Sequence, residues 1–395
     1  MRIALVADAF PPMRSSAAVQ LRDLARALAA DGHAVTVMVP ATGAGTRFGE
    51  ERDGAVEVLC LPAWPTKDVS WLRRTLAEFA LPHLMWRALR RSGRAHDRFD
   101  AVVWYSPSIF LTPLVVRLKR ASAARAYLIV RDLFPDWAAD LGLMRRGPAF
   151  RVLRAVAARQ FATADVIGMQ SPGNLAAVDR WRQRGKRVEV LDNWINPAPP
   201  GGAGIVLDGT PIEGRRIVAY AGNMGIAQGM DKIMRLIADS AARRDLGFLM
   251  VGRGSDAARL AAQAREHGLD NVVFHDEIDP DRVPAVYAQA AIGLVALDHR
   301  HRTHNIPGKF IGYMEAGLPV LASVNPGNDL IELIEAANVG RASTDPEGAD
   351  LAGMLATLLD GDALEAMSAR ARELAERRFT AQAAARRIIA ALGGG

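Results

Sequence analysis

The chain is 395 residues long, half of them apolar and 23% charged, an ordinary globular composition with ample material for two buried cores. A single cysteine, Cys60, excludes an internal disulfide framework, no His/Cys cluster has zinc spacing, and no apolar run reaches the length of a membrane span. The formal net charge of +6 is uneven: residues 1–200 hold 29 Lys and Arg against 18 Asp and Glu, and residues 201–395 hold 20 against 25, so the first half is expected to face an anionic partner, nucleic acid and anionic lipid both fitting.

The N-terminal apolar run stops at Asp8, too early for a signal peptide, which predicts a cytosolic or peripheral protein. Arg2 to Ala7 reads as a strand, followed by the loop Phe10-Pro11-Pro12 and a helix from Ala17 to Ala30 with Leu21, Leu24 and Leu28 at helical spacing. Asp31-Gly32-His33 ends that helix, and Val35 to Val39 is a second strand, completing a βαβ unit and implying a parallel sheet. Ala101 to Trp104, Ala126 to Val130, Val166 to Met169 and Val188 to Leu191 continue the alternation, and the Pro/Gly cluster Asn196 to Gly202 marks a linker. Beyond it the pattern restarts with strands at Arg216 to Tyr220, Gly247 to Val251, Asn271 to Phe274, Ile292 to Ala296 and Pro319 to Ala322. The expectation is two doubly wound α/β domains joined near residue 200, with ligands outside the carboxyl ends of the strands.

The loops after those strands hold the candidate chemistry. Gly222-Asn223-Met224-Gly225 with Gln228-Gly229 is a glycine turn between a strand and a helix, offering close backbone approach and free N–H groups to an anion; the alternative is plain turn geometry. Gly252-Arg253-Gly254 is a second such turn, with a cation for a phosphate or base unless it is simply solvated. Asn305-Ile306-Pro307-Gly308-Lys309 opens a helix over Phe310 to Ala316, and a lysine in a first turn is misplaced unless an anion, a diphosphate above all, is bound there. Pro326-Gly327-Asn328-Asp329 opens the next helix and offers N–H groups to the same anion, or caps the helix through Asn328 or Asp329. Arg131 and Asp132 follow the strand ending at Val130 as a charged pair, unless Arg131 serves a salt bridge. Asp279-Pro280-Asp281 has the form of a metal-binding DxD, but reads better as a helix cap; no metal is expected. His299 to His304 is a basic loop that lines the phosphate site or is solvated. Residues 71–94 interleave Trp71, Leu72, Leu76, Phe79, Leu84 and Trp86 with arginines, which suits an anionic lipid headgroup layer or, equally, a core-facing stripe with a solvated basic face; Pro82 divides the segment into two short helices, and no RNA-binding signature accompanies it.

These residues together resemble the retaining GT-B glycosyltransferases of family 4, and within them the group similar to the fucosamine transferases of bacterial surface polysaccharide assembly. The resemblance is carried by the FPP loop, Asp31 to Val37, Val130 to Leu143, the YAGNMG turn and IPGKF followed by GLPVLA. It implies two Rossmann-like domains facing across a cleft: residues 1–195 for the acceptor, joined by a C-terminal helix near 376–392, and 203–375 for the nucleotide-sugar. It also implies roles. Lys309, Gly222, Asn223, Gln228, Gly327 and Asn328 would hold the diphosphate, and Arg253, in the turn with Gly252, and the segment after Phe274 would lie near the base. Ser15 and Ser16 would face the phosphates, with Arg131 and Asp132 near the transferred sugar. Asn223 and Gln228 replace the family's usual Arg and Lys, and its paired glutamates fall at about His304 and Gly312. The implied reaction is metal-independent transfer, with retention, of an N-acetylated amino sugar from a UDP-sugar to a polyprenyl-diphosphate-linked saccharide at an anionic membrane surface. A sugar-nucleotide 2-epimerase and a non-catalytic sugar-nucleotide-binding partner are the rival expectations.

Overall fold

The computed structural model describes residues 1–393 apart from 14, 42–46, 67–68, 107, 196–203, 303, 305 and 360–362, and the side chains of Trp71 and Leu72. The linker read at Asn196 to Gly202 and the positions Thr303 and Asn305 therefore lie outside the described residues. Contacts divide the chain into two compact units, Met1–Asp192 with Ala381–Gly395, and Asn193–Thr380.

Unit 1 runs β1 (Arg2–Val6), α1 (Ser16–Ala30), β2 (Ala34–Ala41), β3 (Gly49–Asp53), β4 (Val56–Pro62), α2 (Trp71–Arg91), β5 (Ala101–Ser106), α3 (Thr112–Ser122), β6 (Arg125–Val130), α4 (Asp136–Asp140), α5 (Pro148–Thr163), β7 (Val166–Met169), α6 (Asp179–Arg182) and β8 (Arg187–Val190). The sheet order is β3-β4-β2-β1-β5-β6-β7-β8, with every neighbouring pair parallel except β3 and β4. The strands β5 and β7 are buried along their whole length, as a sheet covered on both faces requires. Helices α2 and α3 drop Leu81, Met85, Leu89, Leu114 and Val115 into one core with Trp104 and Leu128. Helix α2 is continuous through Pro82, not two helices. The proline removes one backbone donor, a cost of about 3 kcal/mol in a helix interior, and the burial of Leu81, Met85 and Leu89 on either side outweighs it. Cys60 lies half-buried on β4, where burial pushes its thiol up.

Unit 2 runs β9 (Arg216–Ala221), α7 (Asp231–Asp239), β10 (Leu246–Val251), α8 (Ala257–Glu266), β11 (Val272–His275), α9 (Val283–Ala288), β12 (Ala290–Ala296), α10 (Gly308–Ala316), β13 (Val320–Ser323), α11 (Asp329–Ala337), β14 (Gly340–Ser343), α12 (Leu351–Leu358) and α13 (Ala363–Arg378). Its all-parallel sheet has the order β11-β10-β9-β12-β13-β14. This is the doubly wound arrangement, in which strand order reverses between β9 and β12 and the loops after those two strands flank a crevice. The last helix, α14 (Ala381–Gly393), belongs to unit 1, where it packs on α1; Arg125 and Arg187 donate to the carbonyls of Leu392 and Ala391 at its end. Among the described residues, no helix is long and apolar enough to cross a membrane.

Candidate functional site

In unit 2 the two loops at the reversal point meet through Lys309. Its ammonium donates to the Tyr220 hydroxyl at 3.0 Å and lies 4.4 Å from the centre of the Tyr220 ring. That hydroxyl in turn donates to the Asn223 carbonyl at 2.5 Å. Burial holds the Tyr220 phenol far above its ordinary range, so it stays a neutral hydroxyl able to accept from the ammonium and donate onward. Gly222 makes room for this arrangement: a Cβ there would come within 3.2 Å of the Lys309 Cε. Lys309 stands in the first turn of α10, where its charge faces the positive end of the helix dipole, and no acidic residue shares that turn. Tyr220 is the residue that sequence reasoning missed. Its signal was slight, a tyrosine in an apolar strand directly before the glycine turn.

The glycine turns themselves do something other than expected. The N–H groups of Gly222, Met224 and Gly225 are already bonded, to Val251 O, Arg253 O and Gln228 Oε1. A Cβ on Gly252 would strike the Gly222 carbonyl, and one on Gly254 the Met224 carbonyl. The glycines thus let the turns after β9 and β10 interlock backbone to backbone, which uses these three amides within the protein. Asn223 and Gln228 bind each other, Nδ2 to Oε1 at 2.9 Å, which fixes the turn without a charge. Arg253 is 72% exposed and pairs with Glu277 at 2.9 Å.

At α11, Gly327 has φ +72°, with open space where a side chain would be, so backbone conformation sets the need for glycine. The buried Asn328 side chain caps the helix, accepting from Leu330 N at 3.0 Å and donating to Asn325 Oδ1 at 2.8 Å; it is spent inside the protein. Asp279 stands at the N-cap of the turn Pro280–Arg282 with Pro280 just inside it, as the cap reading expects, though its side chain accepts no capping hydrogen bond. In the basic loop, Arg300 binds Asp298 through Nε and Nη2 at 2.8 and 2.9 Å, His301 Nε2 lies 3.1 Å from Ala227 O, and His304 Nδ1 lies 3.1 Å from Asp329 Oδ1. Lys232, 6% exposed, donates to Leu297 O at the root of that loop; burial lowers its pKa, opposed by Asp298, Asp345 and Asp350. At Gly312 an added Cβ would lie 2.9 Å from the Tyr287 ring, so the aromatic side chain fills the place a glutamate would take.

In unit 1, Arg131 follows β6 at the carboxyl edge of the sheet. Its Nη1 reaches Tyr105 Oη at 3.2 Å, Ser16 Oγ at 3.3 Å and Gln20 Oε1 at 3.4 Å, three neutral oxygens that orient the guanidinium, while the Asp132 carboxylate acts on it electrostatically. The Tyr105 oxygen beside it pushes its pKa up, and burial pushes the Tyr105 phenol up. Ser15 caps α1, accepting from Ala18 N at 3.2 Å. Ser16 joins the Arg131 group instead, and Asp132 and Asp8 lie close enough to act electrostatically on Tyr105. Each unit therefore offers one cation, held by a buried tyrosine, at the carboxyl ends of its strands.

Residues 16–194 match the model of the glycosyl transferase 4-like domain, and residues 215–360 match that of the glycosyl transferases group 1. The chain is a glycosyltransferase of GT-B fold, built of two Rossmann-like domains. Among curated proteins it is similar to the putative colanic acid biosynthesis glycosyl transferase WcaI of Escherichia coli, 26% identical over 392 residues and 92% of each chain. Among solved structures it is similar to a sucrose-phosphate synthase of Thermosynechococcus elongatus, with a TM-score of 0.75 and 17% identity over 98% of this chain and 97% of that one. It is also similar to HepE of Anabaena, solved in complex with UDP, with a TM-score of 0.67 and 15% identity over 100% of each.

Proposed function

We propose that the protein transfers a sugar, with retention at the anomeric carbon, from a UDP-sugar to a lipid-linked saccharide in the assembly of a bacterial surface polysaccharide such as O-antigen or capsule. One observation carries this reading. The Lys309 ammonium is oriented by Tyr220 at the start of α10, beside the point where the strand order of unit 2 reverses. A diphosphate there turns an unfavourable charge–dipole arrangement into a favourable one. The negative charge that develops on departing UDP is then met by Lys309, by the helix starts at Gly308 and Gly327, and by Arg253, in place of a metal. The names of two similar proteins lend support: WcaI for polysaccharide assembly and HepE for UDP. The N-acetylated amino sugar, N-acetylfucosamine among them, follows from the resemblance of Val130 to Leu143 to the fucosamine transferases. In unit 1, Arg131 and Asp132 are assigned to the reacting sugar and the acceptor, whose lipid carrier sits in an anionic membrane; the excess of cations in residues 1–200 fits that partner. The uncharged Asn223–Gln228 pair and the blocked position at Gly312 concentrate diphosphate recognition on Lys309.

The test is calorimetry with UDP. Lys309→Ala is expected to weaken binding by about a hundredfold, the value of a charge-assisted contact of about 3 kcal/mol. Unchanged affinity overturns the assignment.

A further inference from the structure

We infer that the edge of unit 1 formed by the first halves of α2 and α5, joined by Phe110, is the surface that rests on an anionic bilayer. The inference rests on the proposed lipid-linked acceptor and adds which surface meets the lipid and how it leads to the reacting loop.

Three observations converge on this edge. The first is apolar exposure: Leu76 is 57%, Phe79 41% and Val152 55% exposed. They are not scattered. The Phe79 ring meets the Phe110 ring edge-on at 4.9 Å, and Phe110 packs with Leu153, Val156 and Ala157 of α5, so α2 and α5 share one apolar patch. The second is charge. The sequences of α2, α3 and α5 contain one acidic residue, Glu78, among many arginines and a lysine, and Arg74 pairs with it. The third is where the cations stand. Arg73 and Arg151 lie exposed in the first turns of α2 and α5, which contain no acidic residue. Cations in a first turn are repelled by the helix dipole. A layer of lipid phosphates beneath both helix starts reverses that penalty, while Leu76, Phe79 and Val152 enter the acyl boundary between the headgroups. A soluble anion offers the arginines a partner but leaves the apolar patch in water. An apolar protein partner does the reverse.

The same patch reaches the reacting loop. Phe134, two residues after Asp132, packs against the Phe110 cluster. An acceptor anchored in the bilayer at Phe79 is thereby brought along Phe110 and Phe134 to Arg131 and Asp132 without leaving the membrane surface.

The test is co-sedimentation of the full chain with vesicles of phosphatidylcholine alone or with 30 mol% (about) phosphatidylglycerol. The wild type is expected to pellet with the anionic vesicles only. The variant L76E/V152E adds charge at two exposed positions, and R73Q/R151Q removes charge at the helix starts. Each is expected to lose at least about tenfold in vesicle affinity while melting within about 2 °C of wild type. Wild type that pellets with neither vesicle, or with both equally, overturns the inference, as does wild-type affinity in both variants. Calorimetry with UDP on the same samples reads unit 2 independently. Vesicle binding without UDP binding refutes the proposed donor and leaves the surface standing; UDP binding without vesicle binding does the opposite.

Discussion

Tyr220→Phe isolates the part of the site that no charge-based reading would find. The ring remains, so the cation–π contact with Lys309 at 4.4 Å and the packing of the strand are kept. The hydroxyl is lost, and with it the bond from the ammonium at 3.0 Å and the bond to Asn223 O at 2.5 Å. A hydrogen bond to a charged group contributes about 1.5–3 kcal/mol and a neutral one about 1 kcal/mol. Lys309 is half-buried, so water recovers part of the first. A net loss of about 2 kcal/mol in the stability of unit 2 follows. For binding, the relevant quantity is orientation. An ammonium released to several rotamers must be re-ordered when the diphosphate arrives, at about 1–1.5 kcal/mol, or a five- to tenfold weaker Kd. Tyr220→Leu removes the ring as well and should lose a further factor of about five, the contribution of a cation–π contact near 1 kcal/mol. Calorimetric titration with UDP and thermal melts measure both. If the phenylalanine variant binds UDP as wild type does, the hydroxyl does not orient Lys309, and the account of the site is wrong.

Three further outcomes are expected. Gly252→Ala places a methyl against the Gly222 carbonyl at a residue with φ +141°, so unit 2 should lose about 3 kcal/mol in denaturant melts, with UDP binding falling in parallel. Arg131→Lys keeps the charge but loses the guanidinium whose Nη1 reaches Tyr105, Ser16 and Gln20 and whose other nitrogens are free of that trio; turnover should fall about tenfold or more while UDP affinity stays within about twofold. Arg94 binds Glu57 through two nitrogens, at 2.9 and 2.7 Å, and holds that carboxyl below its ordinary value of 4.5. A depressed carboxyl stabilises the fold above its ordinary value and ceases to do so as pH falls through the folded one. Arg94→Ala should therefore lower the stability of unit 1 by about 1 kcal/mol at pH 7, with the gap closing below pH 4.5, as thermal melts across that range would show.

The parallel sheets were legible because buried strands write themselves as short apolar runs: Val166–Met169 stands where the sequence put it. The strand β3 was not. Gly49–Asp53 is polar, its middle three residues are exposed, and it sits at the sheet edge paired only to β4, so no hydrophobic period betrays it. Pro82 misled for the converse reason: local geometry argues for a break, and the buried residues on either side of it keep the helix whole. At the site, Lys309 could be found from one electrostatic anomaly at a helix start. What lay beyond reach was partnership. That Tyr220 lies under Lys309 and that Gly252 answers to the Gly222 carbonyl depend on segments of separate strand–loop units brought together by the sheet. Gly312 shows the same limit, since the tyrosine that excludes a larger residue there comes from another helix.

The return of α14 to unit 1 has a consequence for biosynthesis. Its buried face, Ala384, Ala385, Ile388 and Leu392, covers α1, a helix made some 365 residues earlier (about the whole chain). While the ribosome is still adding unit 2, the nascent unit 1 stands with one flank uncovered. Unit 2 has all its strands before the last helix is made. Folding on the ribosome thus reverses the order of translation: the unit begun first is finished last, and a nonsense codon between the end of β14 at Ser343 and Ala381 leaves the strands of both units in place but no cover for α1.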